Sequence, residues 1–213
     1  EKWSANYGYL PDAIVVEGPK AGGHLGFKKE QIEDEHYSLE HLIPEVVEVA
    51  RSYAGRKNIP VIAAGGIATG EDIARFMALG ASAVQMGSIF VPTEECDASV
   101  EFKKVYLNAH REDIRIIQSP VGMPGRAFDG EFIRNVAEGK EKPRSCPFHC
   151  IKTCDYTKSP YCIIKALYNA AKGNMKKGYA FAGGNAYLSD KIRSVREVVE
   201  KLKTDFFLSK AAF

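Results

Sequence analysis

Three stretches of the chain repeat one pattern, in which a short apolar run ends in glycine and a helical stretch follows. The apolar runs cover residues 13–16, 61–64 and 83–86 and have the length of strands. Pro44 fits the first turn of a helix after the first run, and Gly55 fits a position just past its end. That helix is predicted over 42–53 from one apolar stripe, which consists of Leu42, Val46, Val49, Ala50 and Tyr53.

The second helix has a recognisable signature at its start. Thr69 is a natural N-cap, and Asp72 three residues later resembles the partner residue of a capping box. We expect the helix to end at Gly80, and a further helix to cover residues 100–107. The buried side of the second helix is predicted to consist of Ile73, Phe76 and Met77.

Strands that alternate with helices predict an α/β fold with a parallel sheet and right-handed crossovers. Because the strands are apolar with little alternation, we expect helices or strands to cover both faces of the sheet. From about residue 112 the pattern stops. One more strand is predicted at 114–117. After it, regular secondary structure is expected to be interrupted by Pro120, Gly122, Pro124 and Gly125.

The remaining chain predicts helices at 163–172 and about 190–203, with a glycine-rich turn at 178–187. We therefore divide the protein into two parts. Residues 1–112 hold the βα units, and residues 113–213 form a small, mostly helical, cysteine-containing appendage that returns to them.

Composition narrows the range of partners. The formal net charge of +2 is too small to indicate a nucleic acid or an anionic membrane as partner, so a small-molecule substrate is expected. No apolar stretch approaches the ~20 residues of a membrane-spanning helix, and residues 1–12 do not resemble a signal peptide. Five cysteines, an odd number, fit a reducing cytosol and thus a cytoplasmic protein. The oligomeric state stays open, and a homo-oligomer is compatible with the sequence.

Glycines at the ends of two successive strands point to a ligand. In parallel α/β folds the ligand binds at the carboxyl ends of the strands, where glycine lets backbone N–H groups approach a phosphate and the next helix adds its positive N-terminus. Gly65, Gly66, Gly87 and Ser88 lie in two such loops, one βα unit apart. The alternative is that these glycines only form tight turns.

His24 is the candidate for proton transfer. It follows Ala21, Gly22 and Gly23 after the first strand, where glycines would leave its imidazole open to a ligand. An imidazole with an ordinary pKa near 6.5 can accept a proton at neutral pH. A structural histidine is the alternative, and spacing alone leaves both open.

The cysteines of the second part follow the spacing C-x3-C-x3-C-x7-C, at Cys146, Cys150, Cys154 and Cys162. On a helix the first three would share one face, although Pro147 argues against a helix running through this stretch. Thiolate clusters favour zinc or an iron–sulfur centre. This spacing is typical of neither, so reduced thiols that pack a small subdomain are the alternative.

The other polar candidates have weaker settings. We expect surface or helix-terminal positions for His36, His41 and His110. Arg126 could face an anionic substrate or form a structural salt bridge.

Three ordered motifs resemble one enzyme family. The stretches 17–26 (EGPKAGGHLG), 60–68 (PVIAAGGIA) and 84–88 (VQMGS) are similar to successive motifs of the nitronate monooxygenase (2-nitropropane dioxygenase) family, whose scaffold and motifs flavin-dependent enoyl-ACP reductases share. The resemblance implies FMN as the cofactor and His24 as the catalytic base. It also implies a flavin site formed by Ala21, Gly22, Gly23, Gly65, Gly66, Gln85, Met86, Gly87 and Ser88. Ala182-Gly183-Gly184-Asn185 loosely resembles a late Ala-Gly-Gln motif that returns to the flavin.

The same resemblance predicts the C-terminal portion of a (β/α)8 TIM barrel. A complete barrel takes roughly 250 residues, and the matched strands correspond to its last three. An N-terminal barrel half would then be needed for the complete core and flavin pocket.

The expected activity is flavin-dependent oxidation of nitronates or nitroalkanes with molecular oxygen. The first alternative is an NAD(P)H-dependent FMN enoyl-ACP reductase on the same scaffold. The second, from another class, is a phosphate-ligand binding module without redox function.

Overall fold

The computed structural model of the protein describes residues 2–150, 152 and 154–210. The helices are α1 (Lys2–Tyr7), α2 (Leu39–Arg51), α3 (Gly70–Ala78), α4 (Val100–Leu107), α5 (Glu131–Ala137), α6 (Ile163–Ala171) and α7 (Val195–Lys210). The strands are β1 (Ile14–Glu17), β2 (Gly23–His24), β3 (Val61–Ala64), β4 (Ala83–Gln85), β5 (Ile114–Gln118) and β6 (Pro124–Phe128).

The predicted βα units form a parallel sheet with the order β1-β3-β4. Val16 pairs with Ala63, and Ala63 with Val84, so the three strands end at the same edge. Helix α2 connects β1 to β3, and α3 connects β3 to β4. The α/β pattern predicted from the sequence is therefore confirmed.

Helices cover only one face of this sheet. Val16, Val61 and Ala63 point to that face and are buried, while Val15 on the other face is 50% exposed. Ala83 is exposed as well. The expectation of two covered faces is not met within this chain, because no helix of the described residues lies over the second face.

The buried side of helix α2 is wider than predicted and shifted. Its buried residues are Leu39, Ile43, Val47 and Ala50. Of the predicted stripe, Ala50 is buried, Leu42, Val46 and Tyr53 are partly buried against the core, and Val49 is 43% exposed. The helix also begins at Leu39, so Pro44 lies in its second turn and removes one helical N–H donor. The predicted positions of Pro44 and Gly55 relative to the helix ends are wrong.

Helix α3 begins as predicted. Thr69 accepts a hydrogen bond from the Asp72 amide, and the Asp72 carboxylate accepts from the Thr69 amide. Phe76 is buried and Ile73 partly buried, but Met77 is 42% exposed and does not belong to the buried side. The predicted helix at 100–107 coincides with α4.

A second sheet corrects the prediction for residues 118–128. β5 and β6 form an antiparallel hairpin, and β6 also pairs with β2, giving the order β2-β6-β5. Pro124 and Gly125 therefore do not interrupt regular secondary structure but lie within strand β6. This works because Pro124 is the first residue of the strand, where proline is tolerated. The part of the chain predicted as mostly helical thus contains a sheet, and that sheet includes His24.

The last helix begins later than predicted. Ser194 and Glu197 form reciprocal hydrogen bonds, the Ser194 amide to the carboxylate and the Glu197 amide to the hydroxyl, which fixes Val195 as the first helical residue. Helix α7 packs tightly on α3: a Cβ added at Gly70 would lie 2.3 Å from the Leu202 carbonyl oxygen.

Among the described residues, none of the helices combines the length and apolar character that crossing a bilayer requires.

Candidate functional site

A cavity of about 320 Å³ opens at the carboxyl ends of β1, β3 and β4. The residues that the sequence assigned to the cofactor all line it; they are Ala21, Gly22, Gly23, Gly65, Gly66, Gln85, Met86, Gly87 and Ser88. Residues more than 60 positions apart in the chain therefore meet at one place. Whether they bind a cofactor stays a prediction.

A larger groove of about 740 Å³ shares Gly65, Gly66 and Asn185 with this cavity. Its walls carry many charged side chains, including Glu33, Arg75 and Arg111. We assign the candidate site to the smaller cavity, because Gly22, Gly23 and Gly87 line that cavity and not the groove.

The backbone of the cavity is suited to an anion. Gly65 and Gly66 have positive φ angles of 98° and 78°, which only glycine adopts readily. A Cβ at Gly66 would lie 2.6 Å from Lys20 Cβ, so a side chain there would collide with the loop after β1. In the described part of the chain the amides of Gly66, Gly87 and Ser88 have no protein acceptor. Free N–H groups at strand ends are what a phosphate would need.

The N-terminus of α3 contributes less than expected. The amides of Ala68 and Thr69 both donate to the Asp72 carboxylate, at 3.0 and 3.1 Å. The Asp72 carboxylate of α3 therefore accepts the hydrogen bonds at the helix N-terminus that the sequence suggested for a ligand anion. The loop glycines, and not this helix terminus, therefore present the amides without protein acceptors.

The loop at 182–186 closes the cavity from the second half of the chain. The Gly183 amide donates to Ser88 Oγ at 3.0 Å, and the Gly184 amide donates to the Lys20 carbonyl at 2.8 Å. Asn185 Nδ2 donates to the Gly66 carbonyl at 2.5 Å. One loop thus ties together the ends of all three parallel strands, which agrees with the loosely matched Ala-Gly-Gln motif.

His24 lies beside the cavity, in β2. Its Nε2 is 2.7 Å from Ser119 Oγ, and its ring makes an edge contact with Phe181 at a centroid distance of 5.0 Å. Gly23, the residue before it, lines the cavity and has a φ of 85°. Among the described residues Nδ1 has no hydrogen-bond partner, and His24 itself is not one of the residues that line the cavity.

A buried hydroxyl chain continues behind His24. Ser119 is 3% exposed, and the Tyr161 hydroxyl interacts with it. Tyr161 in turn donates to the Tyr179 hydroxyl at 3.2 Å. Burial raises the pKa of Tyr161, and its bonds to Tyr179 and Ser119 partly offset this. Burial raises the pKa of Tyr179 strongly, so both phenols are neutral at physiological pH.

Sequence reasoning missed Ser119 and Tyr161. Ser119 lies 95 residues from His24, in the turn before β6, and no local motif marks it. An alignment of related sequences would be the signal that could find it.

Arg126 braces the glycine loop. It donates from Nε to the Ala21 carbonyl at 3.2 Å and from Nη2 to the Pro19 carbonyl at 2.8 Å. Burial lowers its pKa, and Glu33 partly offsets this. Its partners are backbone carbonyls, and within the described chain no carboxylate lies within salt-bridge distance, so the structural salt bridge is not present. Whether Arg126 faces an anionic substrate stays a prediction.

The remaining histidines lie at the surface, as expected. His36 hydrogen bonds to Asp34, His41 to the Ser38 hydroxyl, and the His110 amide to Asp113. All three histidines are exposed.

The four cysteines of the second half line one small cavity of about 20 Å³. All have free thiols, and the described residues 138–150, 152 and 154–162 form neither helix nor strand. The helical arrangement considered from their spacing is therefore wrong. Desolvation and the nearby thiols of Cys146, Cys150 and Cys162 raise the pKa of Cys154. Within the described chain no three His, Cys, Asp or Glu side chains are arranged to hold a metal ion.

Known proteins are similar to the chain in sequence and in fold. A probable nitronate monooxygenase of Staphylococcus aureus strain Newman is 34% identical over 128 residues, which make up 60% of this chain and 34% of that protein. The chain thus spans about a third of the length of this curated relative.

Two solved structures superpose on most of the chain. FabK from Thermotoga maritima has a TM-score of 0.70 and 30% sequence identity, and the match covers 94% of this chain and 56% of that chain. A nitroalkane oxidase from Streptomyces ansochromogenes has a TM-score of 0.68 and 26% identity, covering 94% of this chain and 53% of that one.

The nitronate monooxygenase family model matches residues 2–205, which include all three strand-end motifs, His24 and the loop that closes the cavity. The chain therefore belongs to the nitronate monooxygenase family.

Proposed function

We propose that the protein is an FMN-dependent oxidoreductase that oxidises nitronates or nitroalkanes with molecular oxygen, with His24 as its base. The observation that carries the proposal is the convergence of both glycine loops and the Gly23–His24 strand on one cavity. Family membership gives this cavity its chemical interpretation.

The proposal includes a larger barrel. The uncovered sheet face around Val15 and Ala83, and the edge strands β1 and β4, are what the last three strands of a (β/α)8 barrel would present to the other five. An N-terminal barrel half would cover this face and complete the flavin pocket. The cavity within this chain would hold the phosphate end of the cofactor.

The lining residues fit FMN. A phosphate would accept hydrogen bonds from the free amides of Gly66, Gly87 and Ser88. A Cβ added at Gly87 would meet no protein atom within 4 Å, so the loop leaves open space at that point. When bound, the flavin would supply the electron-accepting chemistry, and the protein supplies position and electrostatics.

The geometry around His24 determines which ring nitrogen would act. If Nε2–H donates to Ser119 Oγ, the lone pair of the neutral ring is on Nδ1, the nitrogen without a protein partner. Behind Ser119, the Tyr161 hydroxyl donates to the Tyr179 hydroxyl. Nδ1 would take the α-proton of a neutral nitroalkane, and Ser119 would hold the ring in the required tautomer.

Oxygen consumption by the whole protein tests the activity. We expect nitronate-dependent oxygen uptake without added NADH, together with a flavin absorbance spectrum. A colourless protein that takes up no FMN would contradict the proposal and favour a phosphate-ligand binding module without redox function.

His24→Ala tests the base. Removal of the imidazole should leave FMN bound and lower turnover of a neutral nitroalkane by about 10²-fold or more, the range of general-base catalysis. Ser119→Ala should lower it less, by roughly fivefold, because one neutral hydrogen bond of about 1 kcal/mol is lost. His41→Ala, at the surface, serves as the control. Unchanged turnover in His24→Ala would remove His24 from the mechanism.

A second candidate is an NAD(P)H-dependent enoyl reductase, which the structural similarity to FabK favours. In that reaction His24 would give a proton to the substrate instead of taking one. Rapid consumption of NAD(P)H with an enoyl thioester, without oxygen uptake on nitronate, would select this candidate.

A further inference from the structure

The four cysteines at 146–162 lie in an unusual stretch of chain. Between α5 and α6, residues 138–162 form no helix or strand where the structure describes them. Loops of this length without regular structure are uncommon inside a compact domain unless they have a function or a cross-link. Tyr161 anchors the end of the stretch in an apolar core, whereas Cys150, Cys154 and their neighbour His149 are exposed.

The fold brings all four thiols to one place. Cys146, Cys150, Cys154 and Cys162 line the same cavity of about 20 Å³, although up to 16 positions separate them in the chain. The other walls are mostly apolar and include Pro120, Val121, Tyr161 and Ile163. In the described residues of the stretch no helix aligns the thiols, so the tertiary structure brings them together.

We propose that these four cysteines bind one thiophilic metal centre through their thiolates. Four thiolates around one centre are the donor set of structural zinc and of iron–sulfur clusters, which share this ligand chemistry. The fifth cysteine, Cys96, does not line the cavity and takes no part.

The binding would include closure of the loop. In the described chain no three of these side chains are arranged to share an ion, so the ligands have to move together. Where the structure describes it, the stretch forms neither helix nor strand, and metal sites commonly gain their order on binding.

The centre would stabilise the turn beside His24. Pro120 and Val121 of the cavity wall directly follow Ser119, whose hydroxyl contacts His24. Tyr161, also in the wall, interacts with Ser119. A fixed loop would thereby hold the hairpin turn between β5 and β6 in place.

The test is metal analysis of the whole protein purified without oxygen. We expect either roughly one zinc per chain or iron with acid-labile sulfide and its visible absorbance; each result supports the centre and identifies it. The double variant Cys150→Ser/Cys154→Ser should lose the metal, whereas the matched control Cys96→Ser should keep it.

A second measurement guards against a variant that does not fold. Cadmium added to metal-free wild-type protein should give the ultraviolet absorbance of cadmium thiolates at one equivalent, while far-ultraviolet circular dichroism reports the fold. The proposal would be overturned if the wild-type protein contained neither zinc nor iron and also gave no cadmium–thiolate absorbance. Metal retained by the folded double variant, or disulfides among these cysteines in the anaerobic protein, would overturn it as well.

Discussion

At the scale of single residues, glycine and one histidine define the candidate site. Gly65 and Gly66 have positive φ angles that favour glycine. Gly87 has a negative φ angle, and its missing side chain leaves open space in the loop. His24 is oriented by Ser119 through a hydrogen bond across the second sheet. Backbone shape therefore provides the cradle, and very few side chains provide the chemistry.

Gly87→Ala separates a ligand site from a tight turn. Gly87 has a φ of −128°, and its added Cβ would meet no protein atom within 4 Å, so the stability of the flavin-free protein should change by less than about 0.5 kcal/mol. If a phosphate lies against this loop, the methyl group should weaken FMN binding by roughly tenfold or more. Fluorescence titration with FMN measures this. Gly130→Ala, also without close neighbours, is the control, and equal affinity in both variants would argue for a simple turn.

At the scale of elements, close packing fixes where helices lie. Helix α7 approaches α3 so closely that only glycine fits at position 70, and the Ser194–Glu197 capping box sets the start of α7. Similarly, contact with the parallel sheet selects Ile43 and Val47 as the buried residues of α2.

Gly70→Ala should loosen α7. Its Cβ would lie 2.3 Å from the Leu202 carbonyl oxygen and the Phe206 amide nitrogen, so the two backbones would have to separate. We expect a loss of about 1–3 kcal/mol in the free energy of unfolding, as for other overpacked sites, and faster proteolysis at Lys201 and Lys203. The control is Gly55→Ala, because a Cβ added at Gly55 would meet no atom within 4 Å. Urea unfolding measures the free energy of unfolding of both variants. Similar stability of the two variants would show that α7 adjusts freely.

At the scale of the whole molecule, the parallel sheet is covered on one side only. Val15 is 50% exposed on the uncovered face, although its strand has the apolar character of a buried one. In the proposed barrel this face would lie in the interior.

Val15→Asp tests the barrel in the whole protein. A carboxylate inside the barrel would have no partner, so unfolding free energy should fall by roughly 3 kcal/mol or more. Val100→Asp is the matched control, because Val100 is 51% exposed in this chain and begins α4, where an acid is tolerated. If Val15→Asp and Val100→Asp lower the thermal unfolding temperature equally little, this face of the sheet stays open to solvent.

The sequence by itself determined the parallel βα units, the start of α3 and the set of glycine loops. These features depend on local patterns: apolar runs, a Thr69–Asp72 capping box, and glycines directly after strands. The family motifs then marked His24 as the residue to test. Local patterns and motifs were sufficient because each is complete within about ten residues.

Only the tertiary structure decided the remaining features. Strand β6 exists because β2 and β5 pair with it, although Pro124 and Gly125 alone suggest a break. Ser119 reaches His24 from 95 residues away, and the four cysteines converge without a helix to align them. Such contacts depend on how distant segments meet, and no short stretch of sequence contains that information.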